Sequence, residues 1–280
     1  MKLQTQLEIR VQYDAPALDC RRVLRVLPLR RAGQTVQSES WSCTPPADFT
    51  LEKTDAVRNR RLMLRHARIE RELRFEMQLE TEVSGDPVLE FSPDFARWKM
   101  PSRAVRFSPE LQIIAREAKD FAPLVRASFF VEWCQKNLRY GAQTDASPLD
   151  ASQVLQNKSG NCADFSHLFL SLCRCSGLAA RYVAGFSRSQ GQMHAWAEVW
   201  NDNHWHAFDP TLESTLDSNA SSQRVFHIAV AVGRDFYDCA PHAGQFRGAG
   251  NASFELRCRT REMKEIIEFP QKMKRTDGAT

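Results

Sequence analysis

The sequence predicts an α+β chain in which a β-rich N-terminal part precedes a group of helices and a second, antiparallel sheet. Three observations lead there. Near the N-terminus Leu7, Ile9, Val11 and Tyr13 alternate with Glu8, Arg10, Gln12 and Asp14, and Leu73, Phe75, Met77 and Leu79 alternate with Arg74, Glu76, Gln78 and Glu80. That period of two belongs to strands with one buried face. From residue 108 onward the apolar spacing turns helical, and from about residue 180 it reverts to strands, the order of an α+β arrangement.

Taken in order, residues 1–95 contain further short apolar runs at 23–27 and 62–64, punctuated by Gly33 and Pro45-Pro46; a small β-sandwich is expected. Its 13 arginines with Lys2 and Lys53 face 15 acids, so a solvated, ion-paired sheet face is expected rather than a polyanion site. Residues 91–106, with Pro93 and Pro101, read as a linker. Ser108-Pro109-Glu110 is a helix start, with a capping serine, proline at the first helical position and an acid in the first turn. Leu111, Ile114, Ala115 and Ala118 continue it.

A second helix is expected over 124–138, with Val125, Phe129, Trp133 and Cys134 on one face. Asp150 and Gln153 form a capping-box pattern for a short third helix through Leu155. The run 162–175, apolar at Phe165, Leu168, Phe169, Leu172 and Cys173, predicts a buried helix. Strands are expected at 180–186, 195–200, 204–208, 226–232 and 254–258. The expected organisation is a β-rich domain over 1–95, a linker over 96–108, a second domain over 109–270 and a flexible tail over 271–280.

Composition narrows the functional classes. A chain of 280 residues with 42% hydrophobic and 26% charged side chains can bury a sizeable core. Its 38 basic and 34 acidic residues leave a formal charge of +4, too balanced for the electrostatic footprint of a nucleic-acid binder. No apolar run approaches the ~20 residues of a bilayer-spanning helix. The opening MKLQTQLEIRVQYD lacks an apolar signal core, so a cytoplasmic location is expected. The eight cysteines show no repeated CxxC pairs, which argues for free thiols. Zinc at Cys173, Cys175, His204 and His206 is not expected, because positions two apart on a helix diverge and no ligand spacing supports it. The two histidines are expected at the surface, on the side of their strand opposite Trp205 and Asp209.

Chemistry concentrates in three residues. Cys162 follows Ser159-Gly160-Asn161 and opens a helix, where unpaired N–H groups and the macrodipole favour a thiolate. His194 begins a strand in Met193-His194-Ala195-Trp196, and Asp209 ends the next strand in Phe208-Asp209-Pro210-Thr211. A nucleophilic thiol needs an imidazole to move its proton and a carboxylate to orient the imidazole. Asp164, in the first helical turn, is expected to cap the helix.

The runs Gly160-Asn161-Cys162-Ala163-Asp164-Phe165, Gly177-Leu178-Ala179-Ala180-Arg181-Tyr182-Val183-Ala184-Gly185-Phe186 and His194-Ala195-Trp196-Ala197-Glu198-Val199, followed by 205–211, resemble the bacterial transglutaminase-like proteins. The N-terminal β-rich part and the stretch 231–241 resemble them too, so the likeness covers nearly the whole chain. It implies a papain-like core over 109–270 with Cys162 as nucleophile, His194 as general base and acid, and Asp209 as the orienting carboxylate. The backbone N–H of Cys162 is then the natural oxyanion donor. Gln156, Trp196, Arg234 and Asp235 are candidates for the oxyanion hole or cleft. Two departures stand out: Ala179 replaces a proline common in that strand, and Asn203-His204-Trp205 replaces the usual Gly-Trp turn.

The resulting expectation is a cysteine-dependent peptidase or amidase working through a thioester, without metal or other cofactor, on a peptide or protein substrate. Capture of the thioester by an amine, or a non-catalytic peptide-binding module on the same fold, are the alternatives.

Overall fold

The structure, a computed structural model, describes residues 1–90, 95–141, 147–188, 190–212 and 224–263. The N-terminal part contributes β1 (Lys2–Tyr13), β2 (Ala17–Leu24), β3 (Gln34–Thr44), β4 (Phe49–Thr54), β5 (Arg60–Ile69) and β6 (Glu72–Val83). The period of two decides which face is buried: Leu7, Ile9, Val11 and Tyr13 of β1 turn inward with Leu73, Phe75, Met77 and Leu79 of β6. β1 and β3 flank β6 in one sheet, while β5 lies between β2 and β4 in another. Side chains bridge the two sheets, with Arg22 donating to Tyr13 Oη and Arg60 pairing with Glu39 at 2.6 Å. This is the expected sandwich. Its outer face carries the expected ion pairs, among them Arg10–Glu8 and Arg74–Glu8.

The chain then runs through β7 (Val88–Leu89), α1 (Phe95–Lys99), α2 (Pro109–Glu117), α3 (Pro123–Asn137), β8 (Arg139–Tyr140), α4 (Ala151–Asn157), β9 (Ser159–Gly160) and α5 (Cys162–Cys175). β7, expected in the β-rich domain, instead pairs with a strand of the second sheet, and the expected linker is structural, with Trp98 of α1 buried edge-to-face against Trp205, centroids 5.9 Å apart. Ser108 caps α2, and Asp150 with Gln153 forms the capping box of α4. α3 has the expected extent but a different buried face. Ala127, Phe130, Val131 and Cys134 are buried, Phe129 and Trp133 are only partly covered, and Val125 is exposed, so the inward stripe of a helix that packs against α5 is centred on 127, 130, 131 and 134.

The remaining elements are β10 (Ala180–Phe186), β11 (Gln190–Gly191), β12 (His194–Asn201), β13 (His204–Phe208), β14 (Ile228–Gly233), α6 (Phe236–Cys239), β15 (His242–Arg247) and β16 (Ala252–Glu262). The second sheet has the order β14-β10-β12-β13-β7 and is antiparallel throughout. Every residue of β10 is buried. α5 covers one face of the sheet, with α2, α3 and α4 packed around it. On the other face Val183, Trp196, Ala229 and Val232 meet Leu29 from the sandwich.

The expected division into domains over 1–95 and 109–270 does not hold at the C-terminal strands. β15 pairs with β2 and β16 with β1, so residues 242–262 complete the sandwich rather than the second domain. The short apolar run at 254–258 marks a strand but cannot say which sheet holds it, since pairing is non-local. Residues 264–280, which include the expected tail, lie outside the described residues.

The two parts are also joined by side-chain amides acting as a substitute strand. Gln34 donates to Ala229 O (2.9 Å) and accepts from Ala229 N (2.8 Å), and Asn59 does the same with Val232 at 2.8 Å each. Edge strand β14 thus has backbone groups satisfied from the sandwich.

Candidate active site

Cys162 is the first residue of α5. Asn161 caps the helix, its side-chain oxygen accepting from the N–H groups of Ala163 (2.9 Å) and Asp164 (3.2 Å), and Asp164 Oδ2 reaches back to Asn161 N at 2.8 Å. The capping box consumes the next two amides and leaves that of Cys162, which has no intrahelical acceptor, to face outward from the helix end. Asp164 is fully buried and also accepts from Leu149 N at 2.7 Å. Burial raises its pKa, while these two backbone donors oppose the rise. The acid is thus spent on structure, as expected. A Cβ on Gly160 would lie 2.5 Å from Asp164 Cβ, which explains the glycine two residues before Cys162.

Asp209 is delivered by β13. The β12–β13 hairpin closes through Asp202 and Asn203, both with positive φ (48° and 62°) and flanked by the Asn201–His204 pair. A two-residue turn of this kind matches the twist of its strands, so the unusual Asn203-His204-Trp205 run makes a regular hairpin. At the far end Phe208 stacks on Phe169 of α5, centroids 5.9 Å apart, fixing Asp209 beside the helix. His204 and His206 are both half-buried rather than on the surface.

The expected three residues come together. His194 Nε2 lies 2.6 Å from Asp209 Oδ2, and Asp209 has no exposed surface. Asp209 Oδ1 accepts from Thr211 N (2.9 Å) and Thr211 Oγ1 (2.7 Å), a local turn foreshadowed by Asp209-Pro210-Thr211. Burial alone would neutralise this carboxyl, but the hydrogen bonds from His194 and His227 hold it well below the usual carboxylate range. For His194, burial disfavours the charged ring, yet the Asp209 hydrogen bond and the neighbouring Cys162 thiol together hold its pKa up to about 10. With Nε2 spent on Asp209, Nδ1 is the nitrogen left to exchange a proton with the half-buried Cys162.

Two members of the site were not legible in the sequence. His227, just before β14, lies with Nε2 3.0 Å from Asp209 Oδ2; it stands at the head of an apolar strand with no spacing rule to flag it. Tyr140, in β8, is carried beside Cys162 by the parallel β8–β9 pairing, where Tyr140 is opposite Gly160. Although the residue is 62% exposed, desolvation on its inner side, then the charges of Cys162 and Asp209 and the hydrogen bond to Cys162, push its phenol up to about 12.

The remaining candidates fall elsewhere. Gln156 is exposed on the last turn of α4. Trp196 is buried beneath the imidazoles, its ring 6.3 Å from His194 and 5.1 Å from His227, so it is a floor rather than a cleft wall. Arg234 pairs with Asp238 at 2.9 Å, and buried Asp235 caps α6 through Tyr237 N and accepts from Ala104 N, both at 2.9 Å. These two hold α6 in place, because their polar atoms are committed to neighbouring backbone and side chain. Among the described residues the group close enough to ligate a metal is His194, Asp209 and His227, and both Nε2 atoms are already hydrogen-bonded to the carboxylate.

Residues 112–210 match the transglutaminase-like superfamily core, and residues 3–82 match the bacterial transglutaminase-like N-terminal region. The structure is similar to that of a candidate cysteine protease from Cytophaga hutchinsonii, with a TM-score of 0.75 at 20% identity over 95% of this chain and 92% of that one. An uncharacterized protein of Mycobacterium leprae is 28% identical over 151 residues, 50% of this chain and 51% of its own. The kyphoscoliosis peptidase of Mus musculus is 25% identical over 127 residues, 40% of this chain and 19% of its own. The chain thus spans about half the length, or less, of these curated relatives. With a papain-like core and an N-terminal β-sandwich that both find counterparts, the chain belongs to the transglutaminase-like superfamily and carries the N-terminal region of its bacterial members.

Proposed function

We propose that the protein is a cysteine-dependent amide hydrolase that cleaves a peptide or protein substrate through a thioester, in a reducing, cytoplasmic setting. The observation that carries the reading is His194 Nε2 locked at 2.6 Å to a buried, ionised Asp209 at the mouth of the helix that Cys162 opens. Cys162 gives its proton to His194 Nδ1 and attacks the carbonyl carbon. The tetrahedral oxyanion is met by the Cys162 N–H and by the Tyr140 hydroxyl, which stays protonated at neutral pH. His194 then returns the proton to the leaving amine as the C–N bond breaks. Water, deprotonated by His194, attacks the thioester and releases the acid and the thiol.

The test is digestion of a peptide library, with and without added glycine methyl ester as acyl acceptor, read by mass spectrometry. Free acids from the wild type and none from Cys162→Ala are expected. Adducts of the amine in place of acids would reassign the enzyme as an acyltransferase, and products from Cys162→Ala would overturn the nucleophile.

A further inference from the structure

Resting on that hydrolase reading, we propose that His227 is a positioning residue for the Cys162–His194 pair, acting through Asp209. The carboxylate is fully buried, and its two oxygens are held differently. Oδ1 takes both bonds from Thr211, whereas Oδ2 is shared by His194 (2.6 Å) and His227 (3.0 Å). A carboxylate oxygen can accept two donors, so the second imidazole does not displace the first. It fixes the plane of the carboxylate that orients His194.

His227 suits this task because it is kept neutral: burial pulls its proton affinity down, against the opposing bond to Asp209. Since Oδ2 only accepts, the single ring proton sits on Nε2. The ring itself is confined edge-on between His194 (4.9 Å, 82°) and Trp196 (5.1 Å, 67°). Its place along the chain is set two residues on, where Gln34 clasps both backbone groups of Ala229 and Leu29 N donates to Ala229 O at 2.8 Å. The β-sandwich therefore holds a side chain against the orienting carboxylate, which gives the N-terminal region a part in the chemistry.

The probe is p-nitrophenyl acetate, which acetylates a nucleophilic thiol and releases p-nitrophenolate; water then releases acetate. The burst rate is measured for wild type, Cys162→Ala, His227→Phe and His227→Gln, with thermal midpoints recorded alongside. His227→Phe keeps the ring shape and loses the donor, so its saturating burst rate falls ~10- to 100-fold with the half-saturating ester concentration unchanged. His227→Gln, whose amide nitrogen can replace the ring donor, recovers most of the rate. A wild-type burst rate in His227→Phe, or equal impairment of the Gln and Phe variants, overturns the positioning role. A burst retained in Cys162→Ala, or absent from the wild type, instead overturns the hydrolase reading and this proposal with it.

Discussion

Asp209→Asn lowers turnover by about ten-thousand-fold, the scale seen when the orienting acid of a Ser-His-Asp triad is replaced by its amide, while the chain stays folded. The size follows from what the carboxylate does. Asp209 accepts from His194 Nε2 at 2.6 Å without any exposed surface, which places the imidazole proton on Nε2 and leaves Nδ1 free to receive one from Cys162. An amide N–H turned toward Nε2 demands the opposite tautomer, with a proton already on Nδ1. It also removes the charge that, with the Cys162 thiol, holds His194 up to about 10 against its burial. Turnover of a peptide or ester substrate, alongside the thermal midpoint, checks this. Activity within tenfold of wild type in a folded Asn variant would deny Asp209 its orienting role.

Glu198→Gln is expected to cost about 3–5 kcal/mol of stability, the usual result of removing one member of a buried ion pair. Glu198 is fully buried and binds Arg181 (2.8 Å) from the adjacent strand and Arg31 (2.6 Å) from the sandwich. Arg181 lies in turn over the Trp205 ring and pairs with Glu90 at 2.8 Å. The Gln variant leaves Arg31 and Arg181 without their shared anion. Burial works to raise the Glu198 pKa, but Arg31 and Arg181 outweigh it and hold it below the ordinary 4.5. A lowered folded pKa means the stabilisation is complete above 4.5 and lost as pH falls through the folded value. Urea unfolding should therefore show the full gap between wild type and variant at pH 7 and a gap that closes as pH falls below 4.5. A gap under 1 kcal/mol at pH 7 would contradict the assignment.

The same pair shows what the sequence held. Arg181 and Glu198 both stand in the runs that mark the family, and they prove to be direct cross-strand partners. Cys162, His194 and Asp209 were legible because a helix start, a strand start and a strand end are each local signals. Asp164 was legible as a cap for the same reason. His227 and Tyr140 were not, because each reaches the site through a pairing between segments distant in sequence, β14 with the sandwich amides and β8 with β9. Non-local pairing also hid the return of β15 and β16 to the sandwich. Arg234 and Asp235 stand in the sequence only as candidates, because a charged cluster does not reveal whether it lines a cleft or, as here, holds α6 in place.

Cys162 should differ in reactivity from the other seven cysteines, and the most direct measurement of that is residue-resolved alkylation by iodoacetamide at pH 7 in the folded wild type and in His194→Ala. Cys43 and Cys175 are half-buried thiols pushed up to about 11 by burial, Cys134 and Cys258 are buried and higher still, and burial also raises Cys20, Cys173 and Cys239. Only the thiolate reacts, so Cys162 should be labelled at least ~100-fold faster than any of these, and His194→Ala should remove most of that advantage. Labelling of Cys162 at the pace of Cys43 and Cys175, or a rate indifferent to His194, would contradict the claim that this thiol and imidazole form a nucleophilic pair.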